Sequence, residues 1–375
     1  MLDWITRIIQ EKSICLIKIY RRMNKNSFIY LRGLKHAENT VFCVENGQKS
    51  YFDPQFQCFV PFSSGQQVKR SVLSTLTDIL DTTPAPTTFV FDVKDKKLGE
   101  GEVLSICDPT FPDQLLGGWM RAVKEGKERT VKRRSPLSIS AMHPLHPLLV
   151  NKSKENITFD RSDRPEVHKV KVRDSQGNEL SEEQIDALLS GTDRSLLRKW
   201  IPDNYRATGL FVYDIAIDLR TLFCVSTNQF EPEISKEMIA QLEGKGWVRS
   251  KNVFGECLVL PKTEREKIIP ALAKALINWR ISSNQARTFS LMETLAVAIS
   301  DNANTLAAAI RAKLIDDGEK PKAKPIVDET AGADLFVTLP CSNYVVTECE
   351  SVDALQMAEQ KLIDMMSAFD YEHQI

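Results

Sequence analysis

The sequence predicts an α+β fold. Segments with the two-residue period of strands and segments with the 3.6-residue period of helices are both present, without a regular strand–helix–strand repeat. A composition of 42% hydrophobic and 26% charged residues is ordinary for a globular protein. At 375 residues, the chain is long enough for about two or three domain-sized units or for one elaborated domain.

The first segment, MLDWITRIIQEKSICLIKIYRRMNKN, is predicted to lie outside the folded core. Charged residues such as Arg7 and Lys18 interrupt its apolar stretch and no small-residue cleavage site follows, which argues against a signal peptide and a membrane span. Met23 begins MNKNSFIYLRG, a natural start for a cytoplasmic domain. We therefore expect residues 1–25 to be an N-terminal extension, and we expect no membrane partner. Eight widely spaced cysteines without a Cys-x-x-Cys pair also suit the reducing cytoplasm.

The first third of the chain is predicted to contain a hairpin, a helix and a strand. TVFCVENGQKSYFD has two β-prone runs around Asn46-Gly47, a dipeptide that accepts the positive φ angles of a type I′ turn. Residues 87–93, TTFVFDV, have the composition of a short buried strand. Between them, SSGQQVKRSVLSTLTDILD fits a helix with a capping box at Ser64 and Gln67. Its apolar face would hold Val68, Val72, Leu76, Ile79 and Leu80.

Two further strands and a short helix are predicted in the middle of the chain. SPLSISAM alternates in the manner of a strand, and so does GLFVYDIAIDL, where Phe211, Tyr213 and Ile215 share a face. A capping box at Ser181 and Gln184 predicts a short helix.

The last third is predicted to end the fold with two strands and two helices. KTEREKIIPALAKALINWRI is helical, with a capping box at Thr263 and Glu266 and with Pro270 marking a kink or a late start. LAVAIS and LFVTL are strands, and DDGEKPKAKPIVDETAG between them is predicted to be a mobile loop. The C-terminal helix would turn Leu355, Ala358, Leu362 and Met366 inwards.

Basic residues are concentrated locally although the formal net charge is −1. Residues 119–134, WMRAVKEGKERTVKRR, hold seven Lys/Arg and two Glu, a local net charge of +5, and Gly117-Gly118 before them is predicted to be a flexible hinge. Lys132, Arg133 and Arg134 would bind phosphate groups. In EVHKVKVRD, strand alternation would put three cations on one face, either as a solvated edge strand or as a strand that faces an anion.

Two polar segments, YLRGLKHAEN and NWRISSNQARTFSL, add donors suited to phosphates and base edges. Phe111, Trp119 and Phe159 lie near the basic regions, where an exposed ring would stack on bases. The candidate RNA-binding residues are therefore Arg32, Lys35, His36, Asn39, Lys69, Arg70, Lys132, Arg133, Arg134, Lys169, Lys171, Arg173, Arg280, Asn284, Gln285 and Arg287.

A metal centre or a catalytic site has weaker support. His143 and His146 are one close pair, but Pro144 and Pro147 make their segment extended, and a second pair of ligands with zinc spacing is absent from the sequence. Nucleophile-elbow, P-loop and dinucleotide motifs are absent as well. We therefore expect no metal, no cofactor and no catalysis, while an acid–base ribonuclease stays open as an alternative.

Five blocks of the sequence carry a resemblance to a known family. FIYLRGLKHAENTVF, RRSPLSISAMHPLHP, NITFDRSD, GLFVYDIAIDL and NQARTFSLMETLAVAISD occur in the order seen in the DevR (Cas seven) family. Members of that family are the backbone subunits of type I CRISPR Cascade complexes, and this chain resembles the type I-B members. The resemblance covers roughly residues 26–340.

The resemblance implies an RRM-like (ferredoxin-like) palm over residues 26–340, with an inserted helical region and a protruding β-hairpin thumb. The insertion would span about residues 94–208, and residues 341–375 would form a C-terminal helix packed on the core. Copies would stack head to tail along one CRISPR RNA, which pairs with target DNA, beside other Cascade subunits in antiviral defence. Type I relatives bind RNA and do not cut it.

The same resemblance assigns two RNA-facing segments. Arg32, Lys35, His36 and Asn39 would begin the RNA-facing part of the palm, and Asn284, Gln285 and Arg287 would form a second RNA-facing loop. Ser282-Ser283 stand where family members often have paired glycines. The alternatives to this function are an RNA nuclease, metal-dependent or acid–base, and a protein-interaction scaffold with basic surface loops.

Overall fold

The structure is a computed structural model, and it describes residues 27–42, 48–94, 97–122, 129–163, 165–281 and 290–375. The predicted N-terminal extension and the turn at Asn46-Gly47 lie outside the described residues. Within these ranges, no helix combines the length and the apolarity that a membrane crossing requires.

The described elements mix helices and strands without a regular repeat, as predicted for an α+β fold. The helices are α1 (Gly65–Ile79), α2 (Pro112–Gly117), α3 (Glu182–Leu189), α4 (Lys236–Gly244), α5 (Lys262–Asn278), α6 (Ala303–Ala309) and α7 (Ala354–Ser367). The strands are β1 (Phe28–Thr40), β2 (Ser50–Asp53), β3 (Cys58–Pro61), β4 (Thr87–Lys94), β5 (Lys97–Ser105), β6 (Trp119–Arg121), β7 (Val131–Arg133), β8 (Leu137–Ile139), β9 (His143–Pro144), β10 (Val150–Asp160), β11 (Arg198–Asp218), β12 (Cys224–Ser226), β13 (Val248–Asn252), β14 (Gly255–Val259), β15 (Thr294–Ser300), β16 (Ile310–Ile315), β17 (Lys322–Val327), β18 (Asp334–Thr338) and β19 (Glu350–Ser351).

A central sheet organises the fold. Its main path runs β10-β11-β1-β15-β18-β19, and β8 and β9 also pair with β11. Strand β1 is antiparallel to both neighbours, with Leu31 opposite Ile215 on β11 and Ile299 on β15. The strands predicted at GLFVYDIAIDL, LAVAIS and LFVTL are confirmed as β11, β15 and β18.

The first face of the sheet is covered by α1, α5 and α7. Apolar side chains that alternate along β1 and β11, among them Leu31, Phe211 and Ile215, pack against the buried faces of these helices. Burying one such side chain stabilises the fold by roughly 1.5–3 kcal/mol. The predicted inward residues of α7 are confirmed for Ala358, Leu362 and Met366, whereas Leu355 is half-buried.

Helix boundaries follow the local sequence with one exception. The Ser64 side chain accepts a hydrogen bond from the Gln67 backbone N–H, as predicted for α1. Helix α5 begins directly after Pro261, so the capping box predicted at Thr263 is wrong. Pro270 lies inside α5, and the predicted late start is therefore wrong as well.

The second face is covered only in part. Helix α6 packs its Leu306 over Leu34 of β1 and Val212 of β11, and the hairpin β16–β17 continues from it. The segment predicted as a mobile loop therefore contains a strand, β17, whose mixture of Lys, Ala and Pro conceals its pairing with residues 310–315.

Three other local predictions are wrong because each segment has a hydrogen-bonded partner that the sequence pattern did not indicate. The run at residues 50–53 pairs with the following segment, so that Phe52 lies opposite Phe59. Residues 168–172 form no strand, and the Val172 carbonyl instead accepts a bond from the Leu180 N–H. Strand β4 forms as predicted but is not buried, since it pairs with β5 in a hairpin whose apolar side chains are exposed. These are Phe89, Phe91, Val93, Leu98 and Val103.

Candidate nucleic-acid interface

A cleft of about 470 Å³ opens on the part of the second sheet face that α6 leaves uncovered. Strands β1, β8 and β11 form its floor and α6 one wall. Its polar lining comes from Arg32, Ser138, Ser140 and Asp214. All four alternate away from the buried face of their strands, which explains how a sheet in the core presents polar groups here.

Arg32 and Asp214 form a two-point ion pair in the cleft. Arg32 Nε lies 2.6 Å from Asp214 Oδ1 and Nη2 lies 3.0 Å from Oδ2. Arg32 Nη1 also donates to the Ile310 carbonyl at 3.0 Å, which ties the sheet to β16. Burial by itself would raise the pKa of Asp214, but interactions with His143 and Arg32 outweigh it and lower the pKa to about 2. His143 Nε2 is 3.8 Å from Asp214 Oδ2, a charge-pair distance rather than a direct hydrogen bond.

Lys35 lies inside the protein, with 1% of its surface exposed. Its Nζ donates to Thr294 Oγ1 at 2.8 Å and lies 5.0 Å from the Trp279 ring centroid. Desolvation by burial lowers the pKa of Lys35 from 10.5 to about 7. The prediction that Lys35 contacts RNA is therefore corrected: strand alternation places it on the same face as Leu31, towards the core.

The end of β1 carries two further predicted residues. The His36 ring stacks on Tyr344 at 4.2 Å between centroids, and its Nδ1 lies 3.4 Å from Glu293 Oε2. Asn39 is exposed and has a positive φ of 47°, a conformation that asparagine tolerates well. His36 is thus largely covered by neighbours, whereas Asn39 remains at the surface.

The run Lys132-Arg133-Arg134 is divided between surface and interior. The Arg133 guanidinium is buried and donates to the carbonyls of Leu115, Thr221 and Cys224. Direct phosphate contact by Arg133 is therefore corrected to a structural role, because its Nη1 and Nη2 atoms already donate to these backbone carbonyls. Lys132 and Arg134 on either side are exposed.

The predicted hinge before this run is a close-packed turn. Gly118 has φ of 72°, and a Cβ there would lie 2.6 Å from the Arg133 carbonyl oxygen, so the position requires glycine. Lys69 Nζ donates to the Gly117 carbonyl at 2.6 Å, at the C-terminus of α2. Burial, followed by the charge of Arg133, lowers the pKa of Lys69.

The remaining candidates occupy varied settings. Arg70, Lys169, Arg173 and Arg280 are exposed, and Lys171 pairs with Glu179 at 2.6 Å. Asn284, Gln285 and Arg287 lie outside the described residues. Of the rings expected to stack on bases, Phe159 is exposed, Phe111 is half-buried, and Trp119 is buried with its Nε1 donating to the Glu233 carbonyl at 2.7 Å.

His143 and His146 engage different partners. His143 faces Asp214, while His146 Nδ1 accepts a hydrogen bond from the Leu148 N–H at 3.1 Å and its ring meets Phe56. Across the described ranges, no three His, Cys, Asp or Glu side chains are grouped so as to hold a metal ion. That this protein binds no metal stays a prediction.

Comparison with known proteins finds similar solved structures, two of which are given below, and no relative by sequence. No family model matches the chain, and no curated protein matches it. A chain described as "CRISPR RNA-guided surveillance complex, pre-nicking" has 9% identity and a TM-score of 0.41, with 90% of this chain and 89% of that chain covered. One described as "CRISPR RNA-guided surveillance complex" has 9% identity and a TM-score of 0.34, covering 89% and 81%. Both TM-scores are below 0.5, a level at which similar shape does not establish a shared function.

Proposed function

We propose that this protein is a non-catalytic, CRISPR RNA-binding backbone subunit of a type I-B-like Cascade complex, of the DevR (Cas seven) type. Its copies bind head to tail along the guide RNA and present it for pairing with target DNA. The sequence blocks quoted above support this proposal, and so does one feature of the fold.

That feature is the order of the core elements. Along the chain, β1, α1, β8, β11, α5 and β15 follow one another, while in the sheet β8 lies beside β11, β11 beside β1, and β1 beside β15. Helices α1 and α5 pack together on one face. This βαββαβ order and pairing support the proposed ferredoxin-like palm, the arrangement that RRM domains share. The cleft at Arg32 lies on the opposite face, the one that RRM domains use for RNA.

Two long insertions into this core suit the proposed finger and thumb regions. One lies between α1 and β8 and includes the exposed hairpin β4–β5. The other connects the end of β10 to the start of β11. These two strands pair from Val150 opposite Gly209 to Asp160 opposite Arg198. Both leave the sheet, so they extend the surface that a long RNA would follow.

Near-zero net charge supports the head-to-tail assembly. A strongly basic subunit would accumulate like charge as copies stacked, whereas a net charge of −1 avoids this repulsion. A contact between two different surfaces does not close on itself and continues as an open helix. Light scattering should therefore show mass rising in steps as RNA is lengthened. A closed dimer or ring that ignores RNA length contradicts the assembly.

The first test is RNA content. Protein purified at low salt should have a high 260/280 nm absorbance ratio and release RNA of discrete length, and sequencing should find CRISPR repeats in it. A protein-interaction scaffold would purify without nucleic acid.

An RNA nuclease is the second candidate, favoured by the imidazole of His143 near the carboxylate of Asp214, which lines the cleft. A time course of RNA length, with and without chelator, separates the two functions. Intact RNA throughout supports the backbone subunit; shortening that His143→Ala abolishes supports the nuclease.

A further inference from the structure

Two exposed phenylalanine rings lie beside a half-buried tyrosine and a half-buried lysine where the hairpin β2–β3 meets β10 and β11. We define the aromatic–lysine strip as Phe52, Phe59, Tyr205 and Lys152. We infer that this strip binds unpaired bases of single-stranded nucleic acid, an inference that rests on the proposed function because it assumes a nucleic-acid-binding protein.

Pairing in the hairpin sets which side chains face outwards. Phe52 lies directly opposite Phe59, so the two rings share one face, with centroids 5.4 Å apart at 65°. They are 47% and 60% exposed. Val60, on the other face, is fully buried and anchors the hairpin. The face with the two rings is therefore turned away from the core.

Lys152 joins this face to the neighbouring strands. On the pair β10–β11 it lies opposite Ala207, so it shares a face with Tyr205 two residues before Ala207. Its Nζ lies 4.1 Å from the Tyr205 ring centroid and 5.3 Å from that of Phe59, and it donates to Ser50 Oγ at 2.9 Å. None of these three groups carries a negative charge. The ammonium group is thus held over the Tyr205 ring and next to Phe59, with its charge available to an anion.

Flat rings and a fixed cation are the groups that single strands require. Bases stack on aromatic faces whatever their identity, and a lysine beside them binds the phosphate between two bases. Duplexes keep their base faces stacked inside and offer phosphates and base edges but no free base face. The strip therefore distinguishes unpaired from paired strands. None of its four members is among the residues that the sequence predicted, because the rings and the lysine come from three separate segments.

A structural role for the rings must be separated from a binding role, since cross-strand aromatic pairs also stabilise hairpins. The double variant Phe52→Leu/Phe59→Leu keeps apolar bulk but removes the π faces. Phe254→Ala is the matched control, because Phe254 is also 60% exposed on a hairpin, β13–β14, elsewhere.

The test uses the full chain stripped of RNA at high salt, with RNA and DNA oligonucleotides of one sequence that carry 2-aminopurine. The double Leu variant should lose about tenfold or more in single-strand affinity, with its Tm and its duplex affinity kept. Lys152→Gln should flatten the log–log salt dependence by about 0.7, one phosphate contact.

Loss on both oligonucleotides assigns the strip to unpaired bases in general, whereas loss on only one assigns it to the guide or to the target strand. Wild-type affinity in the double Leu variant, or an equal loss in Phe254→Ala, contradicts the role of the strip but leaves the proposed function intact. A variant that binds strands normally but no longer assembles would assign the rings to a protein contact. Absence of any nucleic-acid binding by the wild type overturns the proposed function itself.

Discussion

Replacing the buried Lys35 with Met should change how the stability of the protein depends on pH. In the folded state the pKa of Lys35 is lowered from 10.5 to about 7 by burial. Between these two values the unfolded chain holds the proton and the folded chain does not. The free energy of unfolding therefore rises with pH across this window and falls as the pH is lowered towards 7.

The size of the effect follows from the pKa difference. At about 1.4 kcal/mol per pKa unit, the change from 10.5 to about 7 corresponds to about 5 kcal/mol in full. Of this free energy, about 2–3 kcal/mol is gained between pH 6.5 and 9, the range in which unfolding can be measured. Lys35→Met removes this contribution, since a thioether fills the space next to Trp279 without a charge.

Urea unfolding of RNA-free protein at several pH values between 6.5 and 9 measures the slope. The wild type should gain about 2–3 kcal/mol more over this range than Lys35→Met does. Lys274→Met, on the exposed side of α5, is the control and should keep the wild-type slope. Parallel profiles for wild type and Lys35→Met would show that Lys35 does not titrate within the core, and the reasoning would fail.

Three other changes separate structural from functional cations and histidines. Arg133→Met should destabilise the fold by about 3–5 kcal/mol, seen as a lower urea midpoint, because it removes the donors of three backbone carbonyls, two of them in buried contacts. Lys132→Met should cost under about 0.5 kcal/mol, and equal losses would contradict the burial of Arg133. Lys132→Ala with Arg134→Ala should keep the Tm and flatten the salt dependence of RNA binding by roughly 1.4, whereas an unchanged slope would make both residues plain surface. His143→Ala with His146→Ala should leave metal content unchanged, and stoichiometric zinc in the wild type that this variant loses would refute it.

Period-two alternation was enough to predict β11, because its side chains at Phe211, Tyr213 and Ile215 share a buried face. The same alternation places Lys35 on the buried face of β1, because it lies four residues after Leu31. The prediction of RNA contact considered only the charge of Lys35. Burial of a lysine was unexpected because its partners, Thr294 and Trp279, come from distant parts of the chain.

Tertiary partners also explain why the candidate site was predicted only in part. In Lys132-Arg133-Arg134 the neighbours are all cations, so no pattern tells which one turns inwards. The answer depends on carbonyls at Leu115 and Thr221, which the fold brings to Arg133. Asp214 could have been found, since it is a polar residue in the middle of the second face of a strongly alternating strand.

Under the proposed assembly, the hairpin β4–β5 has a consequence for copies that have not yet bound a partner. Phe89, Phe91 and Val93 line one face of a β-rich segment and meet water there. Such a face is prone to self-association through strand stacking, and proteases and chaperones recognise exposed apolar strands. We expect copies made in excess of their partners to be the first to aggregate or to be degraded. The supply of subunits in the cell would then follow the supply of partners.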